Sequence, residues 1–456
     1  MSVISDFLGK SARQNVLDAL EKAKSNEQYH ALLNLTEKRA LERADAVDRG
    51  EITGQLAGVP FVVKDNFLAF GAPTTAASKM LENFESPLQA TAVEKLESEG
   101  AICIGKANLD AFAHGGSTEN SAFGPTKNAF DLERVAGGSS GGSAVVTALD
   151  IVPFALGSDT GGSIRQPASF NGVVGVKPTY GAVSRFGVVA MASSTDVIGA
   201  FTTNIADAEL IMEIITGHDE RDGTTLPDFF KKADVKTNQK IGLIKDFMTN
   251  DVDPEVLTRT NEYVEKLRAA GHTVEEVELP MAKYALAIYY IVVPAELSSN
   301  LARYDGIRYG YRAEGVKTLA ELYGKTRDLG FVTENKRRIM IGSYVLSSGF
   351  FDAFYLKAQK ARTLLINEFD KLFEKYDSLI GPVVPTPAFK LGENTADPIR
   401  MYLTDIMTVP TSLAGLPALS VPAGTTDAGL PIGVQLMGPR RSDAALLALA
   451  RQMETK

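Results

Sequence analysis

A chain of 456 residues, with 45% apolar and 23% charged side chains, has ample material for a core and the composition of an ordinary globular protein. Its formal net charge is −9, so nucleic acid cannot be gripped by global charge, and any such contact must be local or carried by a partner. Cys103 is the only cysteine, which excludes a disulfide framework within the chain and suits a reducing compartment.

The first residues carry scattered charges and no apolar stretch of a secretory leader. Residues 12–48 are read as one or two amphipathic helices: Val16, Leu17 and Leu20 begin the pattern, and Ala31, Leu32, Leu33 and Leu35 continue it. The apolar run from Gly58 to Lys64 predicts a buried strand ending at the lysine. Residues 89–100 predict a helix closed by Gly100, and Ala101 to Gly105 the next strand. This βαβ spacing argues for a mostly parallel sheet with helices packed on it.

Residues 137–175 include nine glycines among 39 positions, too many for core packing. Apolar runs from Ile151 to Leu156 and from Val173 to Val176 interrupt them, so the stretch is no linker. Glycine at this density inside a folded segment signals tight turns or backbone approaching a ligand. A second βαβ unit is expected at 240–280, with Pro254 opening its helix and Gly271 closing it. Residues 284–375 read as mainly helical. The longest apolar stretch, Ala285 to Val293, ends at Pro294 and is too short to span a bilayer. Short strands at 378–384, 418–421 and 432–437 and a helix from Ser442 close the chain. Strands at both ends of the sequence predict one large sheet, and the protein is expected to be soluble and cytoplasmic.

The four histidines are His30, His114, His218 and His272. No HExxH or paired His/Cys spacing exists, so no metal site is expected. Only His114, in a Gly-rich stretch, is a candidate to line a pocket. Gly137-Gly138-Ser139-Ser140-Gly141 matches the G-x-S-x-G nucleophile elbow, but no histidine follows residue 272 to complete a Ser-acid-His order. There is no phosphate-binding glycine loop and no serine with lysine three residues on.

What remains is a serine activated by a lysine distant in sequence. Lys64 ends an apolar strand in VVKDN. GGSSGGS (137–143) puts serines on freely bending backbone. GSDTGGSIRQPA (157–168) follows an apolar run and leads toward a helix, which places Ser163 at a helix N-terminus, where backbone N–H groups lack partners. With Thr160, Gly161 and Gly162 it could form an oxyanion hole. Each piece alone has a plain reading: a solvated strand end, a loop, a helix cap. Their joint occurrence carries the argument.

These motifs resemble the amidase signature family. The spacing fits that family's Ser–cis-Ser–Lys triad: 75 residues from Lys64 to Ser139 and 24 more to Ser163. The likeness continues through GVVGVKPTYGAVSRFGVVAMASSTDVIG (172–199) and runs from residue 58 to about 440. GGSTENSAFGPTKN (115–128), GHDERD (217–222), SSNLARYDGIRYGYR (298–312), KRRIMIGSYVLSSG (336–349) and YLTDIMTVP (402–410) resemble one branch of it, the A subunits of bacterial glutamyl-tRNA(Gln) amidotransferases. Departures from the family pattern are Ala136, where proline commonly precedes the GGSS loop, and Ala111 and His114, where an acidic residue and a methionine are usual.

The resemblance implies an α/β fold with a large mixed central sheet covered by helices on both faces. It implies one domain over 1–456: a helical segment (1–57), the motif-bearing core (58–200), a βαβ and helical part (201–375), and C-terminal strands returning to the sheet (376–456). It implies that Ser163 attacks the carboxamide of glutamine, Ser139 relays a proton to Lys64, and a γ-glutamyl ester is then hydrolysed. Thr160 to Ser163 would bind the oxyanion. Arg338 would take the α-carboxylate and Asp405 the α-ammonium, with Tyr289 (or the adjacent Tyr290) near the scissile amide. For Lys64 to be a base it must be neutral, whereas an unperturbed lysine titrates at about 10.4; deep burial can lower that to about 6. The branch further implies B and C subunits, with no cofactor in this chain; ATP, Mg²⁺ and Glu-tRNA(Gln) would be held by the B subunit. The competing readings are a stand-alone amidase of the same family and a silent scaffold within a complex.

Overall fold

The computed structural model describes residues 2–454 apart from Asp228, Phe229, Lys231 and Val235. Its framework is one eleven-stranded sheet. In chain order the strands are β1 (Leu32–Leu35), β2 (Pro60–Lys64), β3 (Ile102–Ala107), β4 (Phe154–Asp159), β5 (Val174–Lys177), β6 (Val197–Thr202), β7 (Lys240–Ile244), β8 (Thr273–Val277), β9 (Ser378–Pro382), β10 (Ala418–Thr425) and β11 (Pro431–Met437). Their spatial order is β1-β3-β2-β4-β6-β5-β10-β11-β9-β7-β8. The two βαβ units emerge as expected: β2 runs parallel to β3, and β7 parallel to β8. β2 is also parallel to β4, and β7 to β9, whereas β4–β6, β6–β5, β5–β10, β10–β11 and β11–β9 are antiparallel. The sheet is therefore mixed, not mostly parallel as the βαβ spacing suggested, and the C-terminal strands lie at its middle, beside the motif-bearing strands.

Helices cover both faces, and the strand pleat shows it. Phe61 and Val63 of β2 join one apolar cluster with the helices Thr91–Ser98, Ile205–Ile215, Pro254–Ala269 and Asp443–Met453; Val62 faces the other, with the helices Ala12–Ser25, Glu37–Asp48 and Gly141–Ala148. Phe61 stacks on Phe154 of β4 with centroids 5.2 Å apart. Every residue of β2 is buried, as is usual for a parallel strand with neighbours on each side. That setting takes Lys64, the last residue of β2, out of water.

Two further expectations need correction and one needs refinement. Leu32, Leu33 and Leu35 do not extend a helix: they form β1, which pairs antiparallel with the outer edge of β3. A short apolar run fits helix or strand equally by periodicity, and the open edge of β3 decided it. Ser163 stands at a helix N-terminus as expected, immediately before the N-cap Ile164 and ahead of the regular turns. The helix spans Arg165–Phe170, and residues 160–164 form an irregular strap between β4 and that helix. Finally, the apolar stretch that ends at Pro294 is only part of a longer helix, Ala282–Asn300. Extended to Arg303, this segment is long and apolar enough to cross a membrane by length and composition, yet half of its apolar window is buried in the protein. It packs against the helices Thr333–Val345 and Lys357–Phe373. At Gly342 the backbones come so close to Pro294 that a Cβ would collide with its carbonyl.

Candidate active site

The site forms at the carboxyl ends of the parallel strands β2 and β4, the usual place for ligands in such sheets. Lys64 Nζ lies 2.8 Å from Ser139 Oγ, 2.8 Å from Ser140 Oγ and 3.0 Å from Ser158 Oγ. All four side chains are buried. Ser158 Oγ also accepts from Asn66 Nδ2 at 3.1 Å, and Ser140 Oγ donates to the Ser158 carbonyl at 3.1 Å. The Gly138–Ser139 peptide is cis. Burial lowers the Lys64 ammonium to about 7, against the opposing pull of Asp110, Asp159 and Asp196. The adjacent Asp65 does not add to that pull, because its side chain turns away. It pairs with Lys106 at 3.1 Å and accepts from the Thr75 hydroxyl and N–H, and Lys106 donates onward to Thr74 Oγ1 and the Phe67 carbonyl.

Ser163 sits opposite, 8% exposed. The two serine segments touch through backbone, Ser140 N–H donating to the Ser163 carbonyl at 3.2 Å. The hydroxyls of Ser139 and Ser163 are not hydrogen-bonded to each other, and Ser163 Oγ has no partner among the described residues. The N–H groups of Thr160, Gly161, Gly162 and Ser163 likewise donate to no protein acceptor among the described residues. The next one, Ile164 N–H, is taken by Asp159 Oδ2 at 3.1 Å. Four free donors in succession thus follow β4. Glycine is needed here: Gly162 has φ +152°, and a Cβ on Gly161 would sit 2.7 Å from the Tyr289 hydroxyl.

The strap is held from behind. Arg165 and Asp159 form a fully buried pair, Nη2 to Oδ1 at 3.0 Å and Nε to Oδ2 at 3.1 Å. Arg165 also donates to the Thr408 carbonyl, Thr411 Oγ1, Ser412 Oγ and Gln435 Oε1. Thr408 Oγ1 donates to the Gly161 carbonyl at 2.6 Å. Thr160 Oγ1 donates to Asp196, which burial pushes up to about 6.

The expected recognition residues come from the helical part. Tyr289 lies against the strap, whereas Tyr290 stacks on Tyr402 with centroids 3.9 Å apart, so the choice between the two tyrosines falls on Tyr289. Arg338 is 3% exposed. Its Nε donates to Glu334 Oε1 at 2.7 Å, and its guanidinium carbon lies 5.2 Å from the Tyr290 ring centre and 5.5 Å from that of Tyr402. Burial alone would lower this guanidinium, but Tyr290 and Glu334 outweigh it and hold the group well above its ordinary value. Its two terminal nitrogens have no protein acceptor among the described residues, so the fork is free. Asp405 has no hydrogen bond to its carboxylate among the described residues; burial pushes it up to about 7, against the pull of Arg338.

A family model described as Amidase matches residues 14–447. The chain belongs to the amidase family. It is 52% identical over 437 residues to the A subunit of the glutamyl-tRNA(Gln) amidotransferase of Latilactobacillus sakei, covering 94% of this chain and 89% of that protein. The crystal structure of the corresponding A subunit from Thermotoga maritima, also a glutamyl-tRNA(Gln) amidotransferase, has a TM-score of 0.83 and 41% identity, over 99% of this chain and 94% of that one. A bacterial aryl acylamidase of the amidase signature family is similar in fold, with a TM-score of 0.85 at 27% identity, over 99% of this chain and 94% of that one.

The departures from the amidase pattern are accommodated by packing. Ala136 is buried, and its carbonyl accepts from Asn171. Ala111 is buried, and its carbonyl accepts from Asn335 Nδ2 at 2.8 Å. The same amide nitrogen lies 2.7 Å from His114 Nδ1, which fixes Nδ1 as the acceptor and puts the ring proton on Nε2. Burial, then the Arg338 charge, hold this imidazole well below its ordinary value and neutral.

Several amidase residues escaped sequence reading. Ser140 and Ser158 share Lys64 with Ser139, and a run of adjacent serines offers no way to rank them. The Asp159–Arg165 clamp brackets the strap in the motif GSDTGGSIR, and that symmetrical pair of opposite charges was the signal available. Among the described residues no group of three or more His, Cys, Asp or Glu side chains is arranged to hold a metal ion.

Proposed function

We propose that this chain hydrolyses the side-chain amide of glutamine through Ser163, and that the ammonia released serves the conversion of Glu-tRNA(Gln) to Gln-tRNA(Gln) in a complex with B and C subunits. The observation that carries this reading is the buried Lys64–Ser139 contact of 2.8 Å, adjoining Ser163 and its four free N–H groups. The tRNA-linked role follows from similarity to proteins named as the A subunit of glutamyl-tRNA(Gln) amidotransferases.

Neutral Lys64 has two N–H bonds and one lone pair. Ser140 Oγ and Ser158 Oγ accept the two N–H bonds, which leaves the lone pair for the O–H of Ser139. Ser139 then accepts the proton of Ser163 as Ser163 Oγ attacks the carboxamide carbon, and it passes its own proton to Lys64. The tetrahedral oxyanion is held by N–H groups of the strap from Thr160 to Ser163, each well-aimed donor contributing roughly 10²–10³ in rate. Collapse returns a proton to the departing ammonia and leaves a γ-glutamyl ester on Ser163, which water cleaves by the same relay in reverse. Arg338 receives the α-carboxylate on its free fork, Asp405 the α-ammonium, and the Tyr289 hydroxyl lies beside the scissile amide. ATP and Mg²⁺ belong to the B subunit, this chain holds no cofactor of its own, and the complex works in the cytoplasm.

The test is glutamine-dependent ammonia release by the chain, alone and with its B and C subunits and Glu-tRNA(Gln). Strong preference for glutamine, enhanced by partners and tRNA, is expected. Equal, partner-independent hydrolysis of varied small amides would instead make it a stand-alone amidase, and no hydrolysis in the full complex would make it a scaffold.

A further inference from the structure

Gln166 lies one turn beyond Ser163 and is fully buried. Its Oε1 accepts the N–H of Gly138, the residue that leads into Ser139, at 3.0 Å. Its Nε2 is a buried donor with no partner among the described residues. Burying such a donor without a partner is unfavourable, which points to a partner arriving with the substrate. The surroundings of Gly116 identify the acceptor. A Cβ on Gly116 would lie 3.8 Å from Gln166 Nε2 and 3.7 Å from Asp405 Oδ1. Because Gly116 has no side chain, the gap between that unpaired donor and that unpaired carboxylate stays open.

We propose that Gln166 is a positioning residue of the glutaminase site: as the amide donor binds, its NH₂ closes onto the carboxylate of Asp405 while its oxygen keeps hold of Gly138. One side chain then links the carboxylate that receives the substrate ammonium to the segment that carries the relay serine. The inference rests on the glutaminase reading. Asp405 must be ionised to hold an ammonium, and burial works against that. The other charged groups facing it are Arg338, Asp159, Arg165 and Asp110, with Glu334, Tyr290 and Tyr402 around Arg338. Of these only the two arginines favour the anion. Arg165 is committed to Asp159, and the fork of Arg338 is reserved for the substrate carboxylate. A neutral donor from Gln166 stabilises the anion without competing with the substrate ammonium for it.

Gln166→Glu tests this in the full chain with its partner subunits, because it preserves an acceptor for Gly138 N–H and replaces the neutral donor toward Asp405 with a second acid, which disfavours the Asp405 anion. The substrates are glutamine and glutaric acid monoamide, which has the carboxylate but no ammonium. The expected result is a KM for glutamine raised about tenfold or more, with kcat and the KM for the monoamide each within about threefold of wild type. The acid limb of the glutamine 1/KM profile, which in the wild type follows Asp405 near pH 7, moves to higher pH. Gly116→Ala, which crowds the same gap with its Cβ 3.2 Å from Thr404 Oγ1, is the second variant should Gln166→Glu not fold, and should show the same split between KM and kcat. An unchanged glutamine KM, or an equal loss of kcat on both amides, overturns the proposal and leaves Gln166 a packing residue. Failure of the glutaminase reading shows separately, as a wild type that does not prefer glutamine to the monoamide.

Discussion

The two halves of the site differ in how completely their polar groups are satisfied. On the sheet side, Lys64 is hydrogen-bonded to Ser139, Ser140 and Ser158 at 2.8 to 3.0 Å, Asn66 donates to Ser158 at 3.1 Å, and Asp159 is locked to Arg165. On the helical side, the fork of Arg338, the carboxylate of Asp405, Gln166 Nε2 and Asn335 Oδ1 are all without protein partners among the described residues. A buried polar group left unpaired is costly, so an unsaturated cluster next to a saturated one marks where a polar ligand completes the structure. Bond-making groups are preorganised by the sheet; recognition is deferred until an amino acid with both a carboxylate and an ammonium arrives.

The largest expected effects fall on the bond-making half. Ser163→Ala and Lys64→Met should each lower kcat for glutamine by about 10⁴-fold or more, as loss of a nucleophile or its base does elsewhere, measured by ammonia release. Retention of full rate by Lys64→Met at pH 7 would remove its base role. Next comes the buried pair behind the base. Lys106→Met leaves Asp65 buried and uncompensated, and should destabilise the protein by about 3–5 kcal/mol, read as a lower denaturant midpoint. Asp65→Asn added to Lys106→Met should recover part of it, and no recovery would mean that the charge is not the cause.

On the open half, Arg338→Lys should raise the KM for glutamine by about 10–100-fold while leaving kcat much less affected, because an ammonium cannot form the two-pronged contact. A fall in kcat with KM unchanged would move Arg338 from recognition to chemistry. The smallest effect is thermodynamic. Lys64 has a folded-state value of about 7, below its unfolded value of about 10.4. Between these two pH values the unfolded chain binds more protons, so wild-type stability should rise with pH through this window. Lys64→Met should lack that component, a difference of about 1.4 kcal/mol per pH unit. Parallel stability curves from pH 7.5 to 9.5 would show that Lys64 is charged in the folded protein.

The contrast between halves also explains what the sequence made legible. Ser139 and Ser163 lie in Gly- and Ser-rich motifs abnormal for a core and Lys64 ends an apolar strand, so local reading reached them, and β2, β3, β7 and β8 followed from short apolar runs flanking helices closed by glycine. β1 did not, because its apolar run has no local feature that separates strand from helix; the free edge of β3, more than sixty residues away in sequence, decides it. The strap's backbone depends likewise on contacts across its motif: Asp159 Oδ2 accepts the Ile164 N–H, and Arg165 holds that carboxylate in place. Gln166 and Ser158 carry no signal at all in sequence, since their importance lies in what they face across the fold.

The central assignment is that Ser163 is the nucleophile and Ser139 only a relay. Brief mixing with radiolabelled glutamine, acid quench and peptide mapping tests it most directly. The account predicts a γ-glutamyl ester on the peptide containing Ser163, absent in Ser163→Ala. Label on the peptide containing Ser139 would contradict it.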